Sequence, residues 1–543
     1  MALPYHWRVP FPKIRLPVAG WKRWLALLGV TVGSLFVFLI ALGLSIWAAF
    51  QNPAVQGWFI SKMMLMTPSA TPEETPGKPG VMPTYAGPLG DARQVTSARE
   101  IYRQTNVWNV HLQFTASEWA SIQAREVPRV SGWRKPDGSL TLRNPQASRN
   151  GLAGVLGIDF PWSTGAVEFG GVPFTNAAVR FKGNGTYLGA IRSYRKSFKV
   201  DLDEHVKGQS LVGRTIFNLG NLSADYTCLS DALAYEFFRD AGVPAPGTAY
   251  ARVFLSIAGA ETNRLLGTYI MVENPDSEWA RESFGTMGVA LFKPVTLELF
   301  SDLGTNWSDY EGIYDPKTKI TPEQQRRVME MARFVSTAGD EEFARRIDDF
   351  VDVDEFTRFL AAEVLLSNYD GILCNGQNFL FYLDPRSNRI GFIPWDLDHS
   401  WGEFPFVGTA EQRERVSIDQ PWVGENRFLE RMMSVPSVKE RYRGALGRLL
   451  ETLFVPARLD RRVDAVASAI RPIIAEWSTN RLARLEQAIS DAPAPGSPEE
   501  GNPMDPNRPS WQIKRFIAHR AANVREQLDG KSEGVILSRQ QSH

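Results

Sequence analysis

Residues 367 to 402, SNYDGILCNGQNFLFYLDPRSNRIGFIPWDLDHSWG, set acids and amides around two short apolar runs. Asp370, Asn375 and Asn378 precede the run NFLFYL, while Asp396 and Asp398 follow the run RIGFIPW. If the runs pair as a hairpin, the two polar loops meet at one of its ends. Carboxylate and amide oxygens are the donors that Mg²⁺ takes when it leaves positions for water and substrate phosphate. Phosphoryl transfer then needs one further carboxylate to position the nucleophilic hydroxyl. The same residue types also build Asx-turns and caps. Only the arrangement in space separates the two readings.

Other chemistries have less to work with. The six histidines, His399 among them, are too dispersed along the chain for a histidine metal triad, and Ser400 lacks the flanking glycines of a nucleophile elbow. Two cysteines, Cys228 and Cys374, exclude a disulfide-rich scaffold and a thiolate-rich zinc site. They form either one disulfide or two separate buried thiols. The 60 basic and 60 acidic side chains cancel, and the basic ones are scattered, so no nucleic-acid surface is expected.

The elements that must hold the polar loops change character along the chain. Between Val107 and Glu273 the runs VWNVHLQF, NAAVRFKGNGTY, KSFKVDLD, TIFNLG, AYARVFLSI and LLGTYIMVE alternate as strands do. One helix interrupts them from about Asp225 to Ala241, stopped by Gly242, Pro244 and Pro246. From about residue 320 onward, segments such as PEQQRRVMEMARFVSTA, VDEFTRFLAAEVLLSNY and ARLDRRVDAVASAIRPIIAEW carry apolar residues at helical spacing. The expected fold is α+β and bilobal, with a β-rich lobe over 94–275 and a helical lobe over 276–530 that carries the polar loops. A polar tail covers 531–543, and the cleft between lobes is the natural ligand site.

Six segments, in order, resemble the CotH family, whose members are similar to atypical protein kinases in fold. They are RFKGNGTY (180–187), KSFKVDLD (196–203), LAYEFFRDAGVPAP (233–246), GTYIMVE (267–273), NYDGILCNGQNFLFYL (368–383) and IPWDLDHSWG (393–402). The resemblance covers roughly residues 100 to 480 and is most specific at PWDLD with the preceding Asp and Asn. It implies a protein-kinase-like fold that binds ATP or another nucleotide with Mg²⁺ or Mn²⁺. Lys182, Gly183, Asn184 and Gly185 then form a phosphate-covering turn, although Asn-Gly is equally the signature of an ordinary hairpin. Lys196 by family pattern, or Lys199 by strand parity, neutralises nucleotide phosphate. Glu236 pairs with that lysine, and Glu273 closes the strand at the adenine-contacting hinge. Asp370 orients or deprotonates the acceptor hydroxyl, Asn378 is the metal amide ligand, and Asp396 is the metal carboxylate with Asp398 as its alternate. Asn375 and Asn378 stand five and eight residues after Asp370, which departs from kinase spacing and leaves open which amide binds metal. Asn368-Tyr369 stands where kinases carry His-Arg.

An uncharged apolar run from Trp24 to Phe50 is long enough to cross a hydrocarbon core of about 30 Å. Arg8, Lys13, Arg15, Lys22 and Arg23 precede it without a carboxylate, so 1–23 is expected in the cytoplasm and everything beyond outside it. A cleaved signal peptide has a shorter apolar region and a small-x-small site, which Ile46-Trp47-Ala48 is not. Gly29 and Gly33 permit a weak dimer through this helix. Residues 51–93, crowded with Pro and Gly toward their end, read as a tether. The expectation is a membrane-anchored kinase acting on a protein or envelope-polymer hydroxyl. The alternative is a non-catalytic binding or scaffold protein of the cell envelope with the same fold.

Overall fold

The computed structural model describes residues 85, 87–130, 144–147, 151–490 and 511–538. Alternation decides its first half. In order, the strands are β1 (Val107–Phe114), β2 (Arg125–Glu126), β3 (Ile158–Asp159), β4 (Ser163–Phe169), β5 (Val172–Lys182), β6 (Ser197–Asp201), β7 (Ile216–Gly220), β8 (Thr248–Ile257) and β9 (Glu261–Glu273). Seven of them close a barrel in the order β1-β4-β5-β6-β7-β9-β8, and β2 pairs with β3 beside it. Closure comes from the parallel pairing of β1 with β8, the other barrel pairs being antiparallel.

Because successive side chains point to opposite faces, one strand can serve two cores. In β9, Tyr269 and Met271 pack into the barrel interior with Phe181, Phe198 and Leu219. Their neighbours Ile270 and Val272 join the helical core on the other side. The near-continuous burial of β8 and β9 follows from this double duty.

The longest helix among the barrel strands is Ser230–Asp240, beginning later than the sequence suggests. Asp225 is the reason. Its carboxylate accepts hydrogen bonds from the backbone N–H groups of Thr227 (3.0 Å), Cys228 (2.9 Å) and Ser230 (2.9 Å), which holds residues 225–229 as a non-helical entry turn. After β9 come β10 (Ala290–Phe292), β11 (Phe379–Asp384) and β12 (Arg389–Pro394) in a second sheet, set among helices. The buried helix Val353–Leu365 runs through the middle of this half. Helices Pro322–Thr337, Asp340–Phe350, Pro436–Thr452, Pro456–Trp477 and Ile513–Leu528 lie where helical spacing puts them. Sequence reading missed β2, β3, β4 and β10, and among the longer helices Ser277–Phe284, Trp307–Tyr314, Arg427–Ser434 and Thr479–Ile489. The α+β class is what the structure has.

The structure decides two readings that the sequence leaves open. Asn184-Gly185 is no hairpin turn: β5 and β6 are joined by a longer connection containing the short helix Gly185–Gly189. Cys228 and Cys374 are separate buried thiols rather than a disulfide, since each is folded into the helical core. Alkylation without reductant is accordingly expected to modify both only after denaturation; a non-reduced peptide linking them would overturn that. The apolar run 24–50 lies outside the described residues. Among those described, no helix is long and apolar enough to cross a membrane.

Candidate active site

The register of the β11–β12 hairpin positions the polar loops. Phe379 pairs with Pro394, so the hairpin's open end places Asn378 across from Trp395, whose N–H donates to the Asn378 carbonyl at 3.2 Å. Both polar loops adopt left-handed backbone there, Asn378 at φ 60° and Asp396 at φ 58°. Such conformations are costly outside glycine, though less so for Asn and Asp, and they persist where surrounding structure holds them.

The Ser230–Asp240 helix does the holding. The Asp396 N–H donates to the Tyr235 hydroxyl at 2.9 Å, and the Leu397 N–H donates to the Asp231 carboxylate at 2.9 Å. Asp231 and Tyr235 are four residues apart and share a helix face.

A cavity of about 1360 Å³ opens between this apparatus and the barrel rim. Asp370, Asn375, Asn378, Asp396, Asp398 and His399 line one side, with Asp231 beneath them. Asp370 accepts from the Asn375 amide at 2.6 Å and from the Asn378 amide at 2.8 Å. Both amides therefore flank the carboxylate. Ligand atoms of Asp370, Asp398 and His399 all lie within 4.8 Å of one another.

Lys182, Lys199 and Lys293, the last on the chain just after β10, form a basic part of the same cavity wall. The ammonium groups of Lys182 and Lys293 sit 5.8 Å and 5.5 Å from the Trp395 ring centroid. This is cation–π range, so one indole orients two cations beside Asp396.

The electrostatics show what the cavity is built to receive. Burial pushes Asp370 up to about 7, with the Asn375 amide opposing and the Asp396 charge adding to the rise. Burial, and then Asp396, pushes Asp231 up to about 8. Asp398 is held well above the usual carboxylate range by burial and by Asp396, Asp231 and Asp370. On the basic part of the wall burial pushes Lys199 down to about 7, with Arg180 and Lys317 adding to the drop, and Lys293 down to about 8. Each wall crowds like charges that a bound group of opposite sign would relieve. A divalent cation suits the acidic wall, and polyphosphate suits the basic one.

A family model for the CotH kinase protein matches residues 179–524, which contain both walls. The chain belongs to the CotH kinase protein family. The inner spore coat protein H of Bacillus subtilis (strain 168) is 26% identical over 262 residues, covering 47% of this chain and 68% of that protein. Spore coat protein homolog 1 of Rhizopus delemar is 22% identical over 276 residues, covering 50% of this chain but only 44% of that protein. The crystal structure of a Helicobacter pylori proinflammatory kinase, CtkA, overlaps 61% of this chain and 94% of its own at 11% identity. Its TM-score of 0.23 is too low to bear on the fold.

Within this CotH kinase family chain, the residues singled out from sequence divide into two groups. Lys182, Gly183, Asn184, Gly185, Lys199, Asp370, Asn378, Asp396 and Asp398 line the one cavity. Lys196, Glu236 and Glu273 do not. The Lys196 ammonium is buried and donates to the carbonyls of Ala190 (2.7 Å), Ile191 (3.0 Å) and Ser193 (2.8 Å), pinning the β5–β6 connection. Glu236 accepts from the Gln104 amide at 2.7 Å and lies 3.6 Å from Arg462, on a different helix face from Asp231. Glu273 accepts from Arg214 at 2.9 Å and from the Gly247 N–H at 3.0 Å, a buried structural pair. The carboxylate that reaches Lys182 from this helix is Asp231, which raises the lysine's affinity for its proton as Asp396 does, although burial outweighs both.

Sequence reading missed Asp231, Lys293 and His399. Helical periodicity offered a signal for the first, because Asp231 and Tyr235 face one way and Glu236 another. The dispersal of the histidines along the chain hides His399, since one imidazole beside two carboxylates suffices to form a ligand group.

Proposed function

We propose that this chain is a kinase with a protein-kinase-like bilobal architecture, transferring the terminal phosphoryl group of ATP or a related nucleotide to a protein or envelope-polymer hydroxyl. The observation that carries this reading is the gathering of carboxylates, amides and buried lysines in one cavity, at the open end of the β11–β12 hairpin. The acceptor oxygen forms a bond to the γ-phosphorus as the bridging bond to the β-phosphate breaks, and the nucleoside diphosphate departs with that electron pair. The hydroxyl proton passes to Asp370, whose burial sets it near 7, where a base both holds and releases a proton at neutral pH. Lys182, Lys199 and Lys293 bind and orient the donor phosphates. Asp396, Asp398 and the Asn378 amide are the groups to hold Mg²⁺ or Mn²⁺, which when bound neutralises phosphate charge.

The location belongs to the same proposal. The Trp24–Phe50 run, with basic residues before it, anchors the chain in a membrane and sends the catalytic part outside the cytoplasm, where envelope components are the available acceptors. Close approach at Gly29 and Gly33 allows weak dimerisation.

The test is a thermal-shift titration of the detergent-solubilised full chain. Millimolar ATP with Mg²⁺ or Mn²⁺ is expected to raise the midpoint of the folded domain by several degrees through mass action, more than either component alone. An unchanged midpoint would count against nucleotide binding. Lys199→Met is expected to raise the nucleotide KM roughly tenfold with a smaller effect on kcat, the pattern of lost ground-state binding. Steady-state kinetics with varied ATP reads this directly, and an unaltered KM would remove Lys199 from the donor site.

A further inference from the structure

Among the acidic-wall groups, one donor is not oxygen. The ligand atoms of Asp370, Asp398 and His399 lie within 4.8 Å of one another, and all three residues line the cavity. In a six-coordinate site with bonds of about 2.1 Å, neighbouring ligands stand about 3 Å apart and opposite ligands about 4.2 Å. Asp398 and His399 therefore need little movement to close on one ion, with Asp370 beside it to take the acceptor's proton. The imidazole is steered by Phe404, whose ring meets it edge-on at 5.5 Å and 73°. The backbone fixes its origin too: the Ser400 N–H donates to the Leu397 carbonyl at 3.0 Å, holding the turn that carries Asp398 and His399.

We infer that His399 is a nitrogen ligand to the divalent cation of this site, and that it makes the site selective for Mn²⁺ over Mg²⁺. The inference rests on the reading of the cavity as a metal–nucleotide site and goes beyond it. Mg²⁺ is a hard ion that dehydrates reluctantly and takes oxygen donors. Imidazole suits first-row transition ions, while two carboxylates and incoming phosphate keep the set oxygen-rich, a balance that Mn²⁺ accepts. An all-oxygen set of Asp396, Asp398 and Asn378 has no such preference, so the imidazole is the discriminating element.

Electron spin-echo envelope modulation on the full chain loaded with Mn²⁺ tests this. The expected result is a nitrogen-14 modulation from a coordinated imidazole, lost in His399→Gln, with Mn²⁺ still bound in the variant at roughly tenfold lower affinity. Competition with Mg²⁺ is expected to show Mn²⁺ favoured about 100-fold or more, and the variant to narrow that ratio about tenfold. Modulation absent from the unsubstituted chain, modulation retained in His399→Gln, or no Mn²⁺ binding at all would each overturn the inference. A circular-dichroism melt confirms that the variant is folded. Phosphoryl transfer measured in parallel separates the two readings. Transfer supported by Mg²⁺ in His399→Gln, with no nitrogen coupling in the unsubstituted chain, sinks the inference and leaves the kinase reading standing. Nitrogen-coupled Mn²⁺ without transfer to any hydroxyl acceptor does the reverse.

Discussion

Asp396→Asn is expected to lower phosphoryl transfer by at least about 100-fold while leaving the melting temperature within about 2 °C of the unsubstituted chain. Asparagine is the appropriate substitution because the backbone at Asp396 has φ 58°, a left-handed conformation that Asn tolerates and Ala does not. The N–H that donates to Tyr235 is untouched, so the turn stays attached to the Ser230–Asp240 helix. What disappears is one negative charge beside Lys182 and Lys293, and with it a carboxylate for the cation. The charge that builds on the transferring phosphoryl group then loses a counter-ion worth several kcal/mol in a water-poor site. Asp396→Ala serves as the contrast: it should lose transfer to a similar degree and melt lower, by about the 1–2 kcal/mol of left-handed strain. Retention of full transfer by Asp396→Asn would move the metal carboxylate to Asp398 or remove the reaction altogether.

The hairpin that organises the site was readable because both its strands are short continuous apolar runs with polar residues at their ends, and the pairing of Phe379 with Pro394 puts those ends together. Strand parity also pointed Lys199 away from the barrel core, and it lines the cavity while Phe198 and Val200 fill the barrel. Lys196 was ambiguous for a physical reason: it stands just before β6 begins at Ser197, so parity said nothing of it and its ammonium folds back on three carbonyls. Barrel closure was not legible. It depends on β1 lying parallel to β8, with Val107 beside Tyr250, and no local pattern encodes a pairing so distant in sequence. Asp231 was hidden by the assumed helix start. With the helix drawn from Asp225, nothing marked Asp231 as first-turn; the Asx turn that delays the start brings it under the 396–398 loop.

The second large effect concerns Glu363, which lies beneath the loop carrying Asp370 and does no chemistry in the proposed reaction. It is fully buried on the Val353–Leu365 helix, facing the Asn368 amide, and a Cβ on Gly371 would stand 3.4 Å from its carboxyl oxygen. Burial pushes its carboxyl up to about 8, with Asn368 pulling weakly the other way. In the unfolded chain the same group titrates near 4.5. The folded state thus keeps a proton that the unfolded state gives up, so the contribution is fully present below pH 4.5. It is lost as pH rises toward 8 and level above that. Glu355, likewise pushed up to about 8 by burial, adds a second loss of the same sign. Glu363→Gln keeps the shape and removes the ionisation. The variant is expected to match the unsubstituted chain near pH 5 and to be more stable at pH 8 by a few kcal/mol, at about 1.4 kcal/mol per pK unit. Glu355 should leave a residual slope in both proteins. Melting temperatures at pH 5, 6.5 and 8 measure the difference, and parallel curves would mean that Glu363 is ionised in the fold. Transfer activity should be unchanged at pH 6.5, because Asp370 is held by Asn375 and Asn378 rather than by Glu363. A carboxylic acid kept neutral under the loop adds no further negative charge to a wall where Asp231, Asp370, Asp396 and Asp398 already repel one another.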